Sequence, residues 1–350
     1  MRIFGIETSC DETAAAIVTD GTHVESSVIA TSRTVFKELG GVIPEEAARR
    51  QLQCIIPVVQ RAFSDAKRSW KDIDAIAITY GPGLLGSLIV GTTAARTLAS
   101  LHGLPVICVH HTLGHLTSTW LDAKSSPQFP CLTLSASGGH TDLWYRTSHT
   151  TGELLGSTRD DAAGEAFDKG SSLLGLAYPG GPAIAACASE GDASAFRFSA
   201  AMREEDTLDF SFSGLKTALR YVIRDLKEPL EMRRADLAAS FQHAICEQLV
   251  SRVERALDLQ PATLEVHVVG GVSANLYLRQ MLKKRIRLPV RTPVSLSYCT
   301  DNAAMIAAAG FFLAQERPEA LLRTLATQAS TPLSSAIFRD LSMPAAMPRE

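Results

Sequence analysis

Residues 110–115 read His-His-Thr-Leu-Gly-His, three of the nine histidines of the chain. His111 and His115 are four apart. On a helix they share one face, where two imidazoles can hold one metal ion. His110 points about 100° away and is the poorer ligand. Histidines at this spacing also occur as satisfied or exposed side chains without a metal. A zincin peptidase needs His-Glu-x-x-His, with the glutamate activating water. Here Thr112 follows His111 and no carboxylate separates the pair, so that chemistry lacks its base. A third ligand must come from elsewhere. Asp301 qualifies because it opens a helix, where it could equally serve as the N-cap.

Other residues could act on a bound molecule. Asp11 and Glu12 stand in a turn of small and polar residues, TSCDET. Glu165 and Asp168 lie three apart on one helical face of DDAAGEAFDKG. They are solvated helix charges, or Asp168 accepts hydrogen bonds from a ribose or similar polyol. Glycine loops occur at GPGLLGS, SGGHT, YPGGP and GGVSAN. Glycine lets a backbone approach a phosphate, and a helix N-terminus presents unpaired amides to it. Glycine also simply makes turns, and neither a Walker loop nor a dinucleotide fingerprint is present. Arg279, Lys283, Lys284, Arg285, Arg287 and Arg291 form a basic run that is either an RNA contact or a solvated helix end.

These residues need a frame. Arg2–Glu7 reads as a strand, TSCDET as a turn and AAAIV as a second strand, with Gly21 closing a hairpin. PCLTLS, ASGGHT and DLWYR repeat strand, turn and strand about 130 residues later, too far apart for a solenoid repeat. Either two halves share one topology, with their turns opposed across a cleft, or two unrelated hairpins coincide. IDAIAITYGPGLLGSL is a buried strand entering a glycine loop and a helix. LPVICV leads into the histidine helix, LEVHVV into GGVSAN, and Asp301-Asn302 into an alanine-rich helix. Alternating strands and helices predict α/β layers with largely parallel sheets.

Bulk properties narrow the class. A chain of 350 residues, 46% hydrophobic and 20% charged, has room for two globular domains. No apolar run reaches membrane-spanning length, and polar residues by position 7 leave no core for a signal peptide. The seven cysteines are scattered and never spaced Cys-x-x-Cys, which fits a reducing cytoplasm. A net charge of −3 excludes a uniformly basic nucleic-acid binder, but not a local basic patch.

Taken in order, GIETSCDETAAA, GGVIPE, TYGPGLLGSL, HHTLGH, SASGGHTDL, DDAAGEAFDKG, YPGGP, LDFSFSGLKTAL, GGVSAN and CTDNAAMIA resemble the TsaD family of tRNA threonylcarbamoyladenosine transferases, over roughly residues 1–315. The resemblance implies a duplicated α/β fold of the actin/Hsp70/sugar-kinase (ASKHA) type around a nucleotide and metal cleft. The first domain would span 1–112, with 300–320 packing back on it, and the second 113–299. Residues 321–350 would form an extension. The implied reaction moves the threonylcarbamoyl group from threonylcarbamoyl-AMP to the N6 amino group of adenosine 37, in tRNAs reading codons that begin with A. The implied metal is one divalent ion, iron or zinc, on His111, His115 and Asp301. The resemblance places the adenine nucleotide (threonylcarbamoyl-AMP, or ATP or AMP analogues) on Ser135, Ala136, Ser137, Gly138, Gly139, Asp168, Gly181 and Asn275. Asp11 and Glu12 are the candidates for orienting or deprotonating the amine. Implied partners are tRNA, the shorter paralogue TsaB, the ATPase TsaE and the synthase that supplies the donor. No membrane partner is implied.

The chain departs from the family pattern in places. Gln51 stands where a histidine is usual, Thr112-Leu113 where Met-Glu is common, Arg96 where lysine is, and Ala136 where valine is. The resemblance places Gln51 and Glu46 near the substrate entrance. The competing enzyme reading is an ATP-dependent phosphotransferase of the same superfamily, but such kinases hold Mg²⁺ through oxygens. A non-catalytic partner subunit would have lost the metal ligands and the second half.

Overall fold

The computed structural model describes residues 1–32, 36, 42–198, 207–322, 327–331 and 333. By internal packing the chain divides into two units. One comprises Met1–Pro127, Thr147–Glu153 and Pro293–Glu350; the other comprises Gln128–Arg146 and Leu154–Thr292. The first boundary falls at 127/128, where the sequence reading set it at 112/113, and so keeps His111 and His115 in one unit.

The first unit is built on five strands: β1 (Arg2–Glu7), β2 (Glu12–Thr19), β3 (His23–Thr31), β4 (Ala75–Gly81) and β5 (Val106–His110). They lie in the order β3-β2-β1-β4-β5. β1 pairs antiparallel with β2, from Arg2↔Thr19 to Glu7↔Ala14, and parallel with β4. Helices α1 (Pro44–Ala66) and α2 (Leu85–His102) cover one face, where Phe4, Ile6, Ala15, Ile17, Ile76 and Ile78 meet Ile55, Val59, Phe63 and Ala95. Side chains alternate across a strand, so Gly5 faces the other side. There a Cβ on Gly5 would lie 2.3 Å from the Ala303 carbonyl, and one on Gly310 would lie 2.7 Å from Ala77 Cβ. The alanine-rich helix α9 (Ala303–Glu316) thus lies directly on the sheet because both surfaces lack bulk. A short helix, α3 (His111–Thr117), continues from β5.

The second unit repeats the plan. Strands β6 (Cys131–Ala136), β7 (Thr141–Arg146), β8 (Gly152–Ser157), β9 (Glu265–Val269) and β10 (Val290–Arg291) lie in the order β10-β9-β6-β7-β8. β6 pairs antiparallel with β7 and parallel with β9. Matching β6 to β1, β7 to β2 and so on gives the same strand order in both sheets, so two coincidental hairpins do not explain the repeat. Both sheets are mixed rather than largely parallel. Each begins with a tight hairpin, and only its later strands arrive by helical crossovers, which parallel pairing requires. Helices α4 (Ala163–Leu173), α5 (Gly180–Ala188), α6 (Ser213–Arg224), α7 (Leu230–Leu259) and α8 (Leu276–Arg285) bury Leu132, Leu134, Leu143, Val266 and Val268. Among the described residues, no helix is long and apolar enough to cross a membrane.

Candidate active site

The end of β5 and the start of α9 bring three side chains of metal-ligating type together. His111 and His115 lie one turn apart on α3, and their rings are 4.7 Å apart and nearly perpendicular. Asp301 Oδ1 is 3.6 Å from His111 Nε2 and 3.1 Å from His115 Nε2. Metal bonds of about 2.0–2.2 Å set neighbouring ligand atoms about 3–3.5 Å apart, which the two carboxylate–imidazole distances approach, and one ligand atom from each of the three residues lies within 4.8 Å of the others, so the trio could hold a metal ion as a two-histidine, one-carboxylate site. Capping does not compete for Asp301. Asn302 caps α9 by accepting from the Met305 amide at 2.9 Å. Gly114 sets how closely the ligand-bearing segments approach, because a Cβ there would meet Ile306 Cδ1 at 2.6 Å. His110 is no ligand. Its Nδ1 accepts from the Thr112 amide at 3.2 Å, which caps α3. Its Nε2 donates to the Thr331 carbonyl at 2.9 Å, in a segment that also bonds Tyr80 and Gly83.

The surroundings of His111 include residues that the sequence reading missed. Its Nδ1 is 3.1 Å from Ser9 Oγ and 3.3 Å from Glu7 Oε2. Glu7 is 1% exposed and accepts from the Ser9 amide at 2.6 Å and from the Thr79 hydroxyl. A carboxylate closing a strand that is apolar from Ile3 to Ile6 was the available signal, since a buried charge needs partners. Burial opposes protonation of His111, but the Asp301 and Glu7 carboxylates outweigh it and lift the imidazole to about 9. Without a metal, His111 is an imidazolium between two carboxylates. His115 Nδ1 is buried without a hydrogen-bond partner.

Asp11 and Glu12 stand beside this trio. The Cys10 thiol is held far above its ordinary value, first by burial and then by the negative charges of Asp11, Asp301 and Glu12. Those charges therefore share one neighbourhood. Asp11 is half-buried and Glu12 is buried at the start of β2. The turn is fastened to the head of α2, where the Leu84 amide donates to the Ser9 carbonyl at 2.7 Å and Ser87 Oγ to the Cys10 carbonyl at 3.1 Å. Gln51, expected at an entrance, is 1% exposed beneath this turn.

In the second unit, the expected nucleotide residues separate into accessible and buried ones. Ser135 and Ala136 are buried inside β6, whereas Gly138 and Gly139 are exposed at the hairpin tip after Ser137. Gly164 packs on the Ser137 carbonyl and Gly270 on that of Ala136, which draws the starts of α4 and α8 toward this loop. A Cβ on Gly138, Gly139, Gly181 or Gly271 would meet nothing within 4 Å. Neither packing nor a left-handed backbone requires glycine at these four positions, and each leaves room for an approaching group. Asp168 Oδ1 accepts from the Gly180 amide at 2.6 Å, and burial raises its pKa. Asn275 caps α8 through the Leu278 amide and donates to Gln242 Oε1. In the basic run, Arg285 pairs with Glu247 and Glu254, Arg291 pairs with Glu265, and Arg279 donates to the Ser273 carbonyl.

Residues 23–308 match the model of a family described as TsaD, tRNA N6-adenosine threonylcarbamoyltransferase. The protein of that name from Moorella thermoacetica is 48% identical over 315 residues, covering 89% of this chain and 91% of its own. The chain belongs to the TsaD family. A second TsaD relative, from Symbiobacterium thermophilum, is also 48% identical, over 318 residues. His111, His115 and Asp301 all fall inside the residues matched to the TsaD model, whereas the turn at 8–12 precedes them. Two solved structures share the duplicated ASKHA-type fold of TsaD at low identity. T. kodakarensis HypF superposes with a TM-score of 0.61 at 15% identity, over 92% of this chain and 49% of its own. Component A of the Acidaminococcus fermentans (R)-2-hydroxyglutaryl-CoA dehydratase gives 0.54 at 12% identity, over 89% of this chain and 98% of its own.

Proposed function

We infer that the protein transfers the threonylcarbamoyl group of threonylcarbamoyl-AMP to the N6 amino group of adenosine 37, in tRNAs reading codons that begin with A. Membership of the TsaD family, with relatives named for this activity over most of both chains, carries the reading. The reaction breaks the bond between the carbamoyl carbon and the AMP phosphate oxygen, and AMP leaves with the electron pair. A new bond forms to N6, which loses one proton. An aromatic amine is a weak nucleophile, so positioning and electrostatic help dominate.

The residues divide that work. His111, His115 and Asp301 would hold one divalent ion, iron or zinc. When bound, it supplies a Lewis acid with open positions for substrate oxygens. Glu7 and Ser9 fix the ring of His111 through Nδ1, leaving Nε2 as the ligand atom. Asp11 orients the amine and accepts its proton, with Glu12 beside it. In the second unit, the amides of Gly138, Gly139 and Gly181 hold the adenylate, supported from behind by Ser135, Ala136 and Ser137, whose own amide closes the hairpin onto the His140 carbonyl at 2.8 Å. Asp168 offers its second carboxylate oxygen to a ribose hydroxyl, and Asn275 fixes the loop that opens α8.

The reading includes TsaB, TsaE and the donor synthase as partners, and a cytoplasmic location. Its test is nucleoside analysis of tRNA incubated with the protein, those partners, threonine, bicarbonate and ATP. Threonylcarbamoyladenosine is the expected product, and its absence refutes the reading.

A further inference from the structure

The turn carrying Asp11 and Glu12 is held by a side chain that touches neither carboxylate. Gln51 projects from α1 with its Nε2 3.3, 3.0 and 2.9 Å from the carbonyl oxygens of Thr8, Cys10 and Glu12. These residues alternate along the chain, and their carbonyls converge on one point. Only a donor satisfies three converging acceptors. The flipped amide would put Oε1 against all three and is excluded. Oε1 is itself buried without a partner among the described residues. A buried orphan acceptor is unfavourable, so the arrangement satisfies the backbone of the turn at the expense of the side chain's own oxygen. The same turn is held from α2 as well: the Leu84 amide donates to the Ser9 carbonyl, and Ser87 Oγ shares the Cys10 carbonyl with Gln51. Gln51 is thus the α1 half of a clamp whose other half is α2.

We propose that Gln51 is a positioning residue for the transfer reaction. By gripping the carbonyls of Thr8, Cys10 and Glu12, it sets where the Asp11 and Glu12 carboxylates and the Ser9 hydroxyl stand beside His111. This rests on the reading of that turn as catalytic. The glutamine amide offers two protons to the three carbonyls. A neutral imidazole, the side chain usual at this position in the resemblance, offers one.

The test compares Gln51→Met, of similar length but without a donor, with Gln51→His. Two quantities are measured on the full-length protein: single-turnover transfer from preformed threonylcarbamoyl-AMP, and amide hydrogen exchange at residues 9–12. In Gln51→Met, transfer slows by about tenfold or more and exchange at 9–12 quickens by a similar factor. KM for tRNA and exchange in α3 stay at wild-type values, which a general loss of structure would not allow. Gln51→His falls between Gln51→Met and wild type in both readouts. Wild-type transfer in Gln51→Met overturns the proposal, whether or not exchange quickens. If Gln51→Met does not fold, Gln51→His decides: slower transfer with faster exchange supports the clamp, and wild-type values in both overturn it. If the wild type forms no product, the inferred function fails, while exchange still reports whether Gln51 holds the turn.

Discussion

Raising the pH should strengthen metal binding far more steeply than an ordinary histidine site allows. Without a metal, burial disfavours the charge on His111, yet Asp301 and Glu7 lift it to about 9. An ion can bind Nε2 only after that proton leaves. At pH 7.5 the proton is favoured by about 1.5 pH units, a competition of about 2 kcal/mol, or about thirtyfold in affinity. Apparent affinity should therefore rise about tenfold per pH unit from about pH 7 to about 8.5 and level off above about 9, with close to one proton released per ion. An imidazole titrating at about 6.5 would gain less than about twofold over that range. Co²⁺ titrations followed by visible absorption give the affinity, and calorimetry in two buffers gives the proton. Affinity that stays flat between pH 7 and 8.5 would refute the imidazolium between two carboxylates. The same shift fixes the sign of metal-free stability. The pKa is raised on folding, so the stabilisation is complete below about 6.5 and is lost as pH climbs through about 9.

Glu7→Gln should weaken Co²⁺ or Zn²⁺ binding by about 10–100-fold at a pH above about 9, where the His111 proton no longer competes, because it removes the carboxylate that orients a ligand; a competition titration measures it, and unchanged affinity would show that Ser9 alone suffices. Asn302→Ala should lower stability by about 1 kcal/mol or more through loss of the α9 cap, as read from urea denaturation, and Asn302→Asp should not rescue it, because the buried Asn302 amide also donates to the Thr300 carbonyl. Gly138→Ala and Gly181→Ala should melt like wild type, since their Cβ atoms enter open space, but bind an AMP analogue more weakly by calorimetry. Gly180→Ala should instead unfold at lower temperature, because its Cβ would sit 2.5 Å from Asp168 Cα.

The histidine pair was legible from spacing because an i, i+4 relation on a helix is geometric. Its third ligand was not. Asp301 and Asn302 are adjacent at one helix start and chemically alike as caps, and only the Met305 amide shows which of them caps. The repeated hairpins were visible as composition, but mixed pairing was not, because strand order depends on which faces find partners. Glu7 escaped notice because its role comes from strands adjacent in space rather than in sequence. The resemblance set Gln51 near a substrate entrance, and only the converging carbonyls explain its burial. For Asp168 and Asn275, the resemblance implied ligand contacts, while the coordinates show helix-capping bonds that spacing did not reveal.

Placing Asp301 in the first unit has a biosynthetic consequence. The ribosome delivers His111 and His115 early, then all of Gln128–Arg146 and Leu154–Thr292, and only afterwards the segment bearing Asp301. Until then one face of the first sheet also lacks α9, the helix that Gly5 leaves room for and whose own Gly310 lies against Ala77. A nascent chain therefore offers the two imidazoles without Asp301, which on the metal reading proposed above is a weaker trap for cellular metals. On that reading tight capture waits for the arrival of α9, which ties metal loading in time to closure of the first unit.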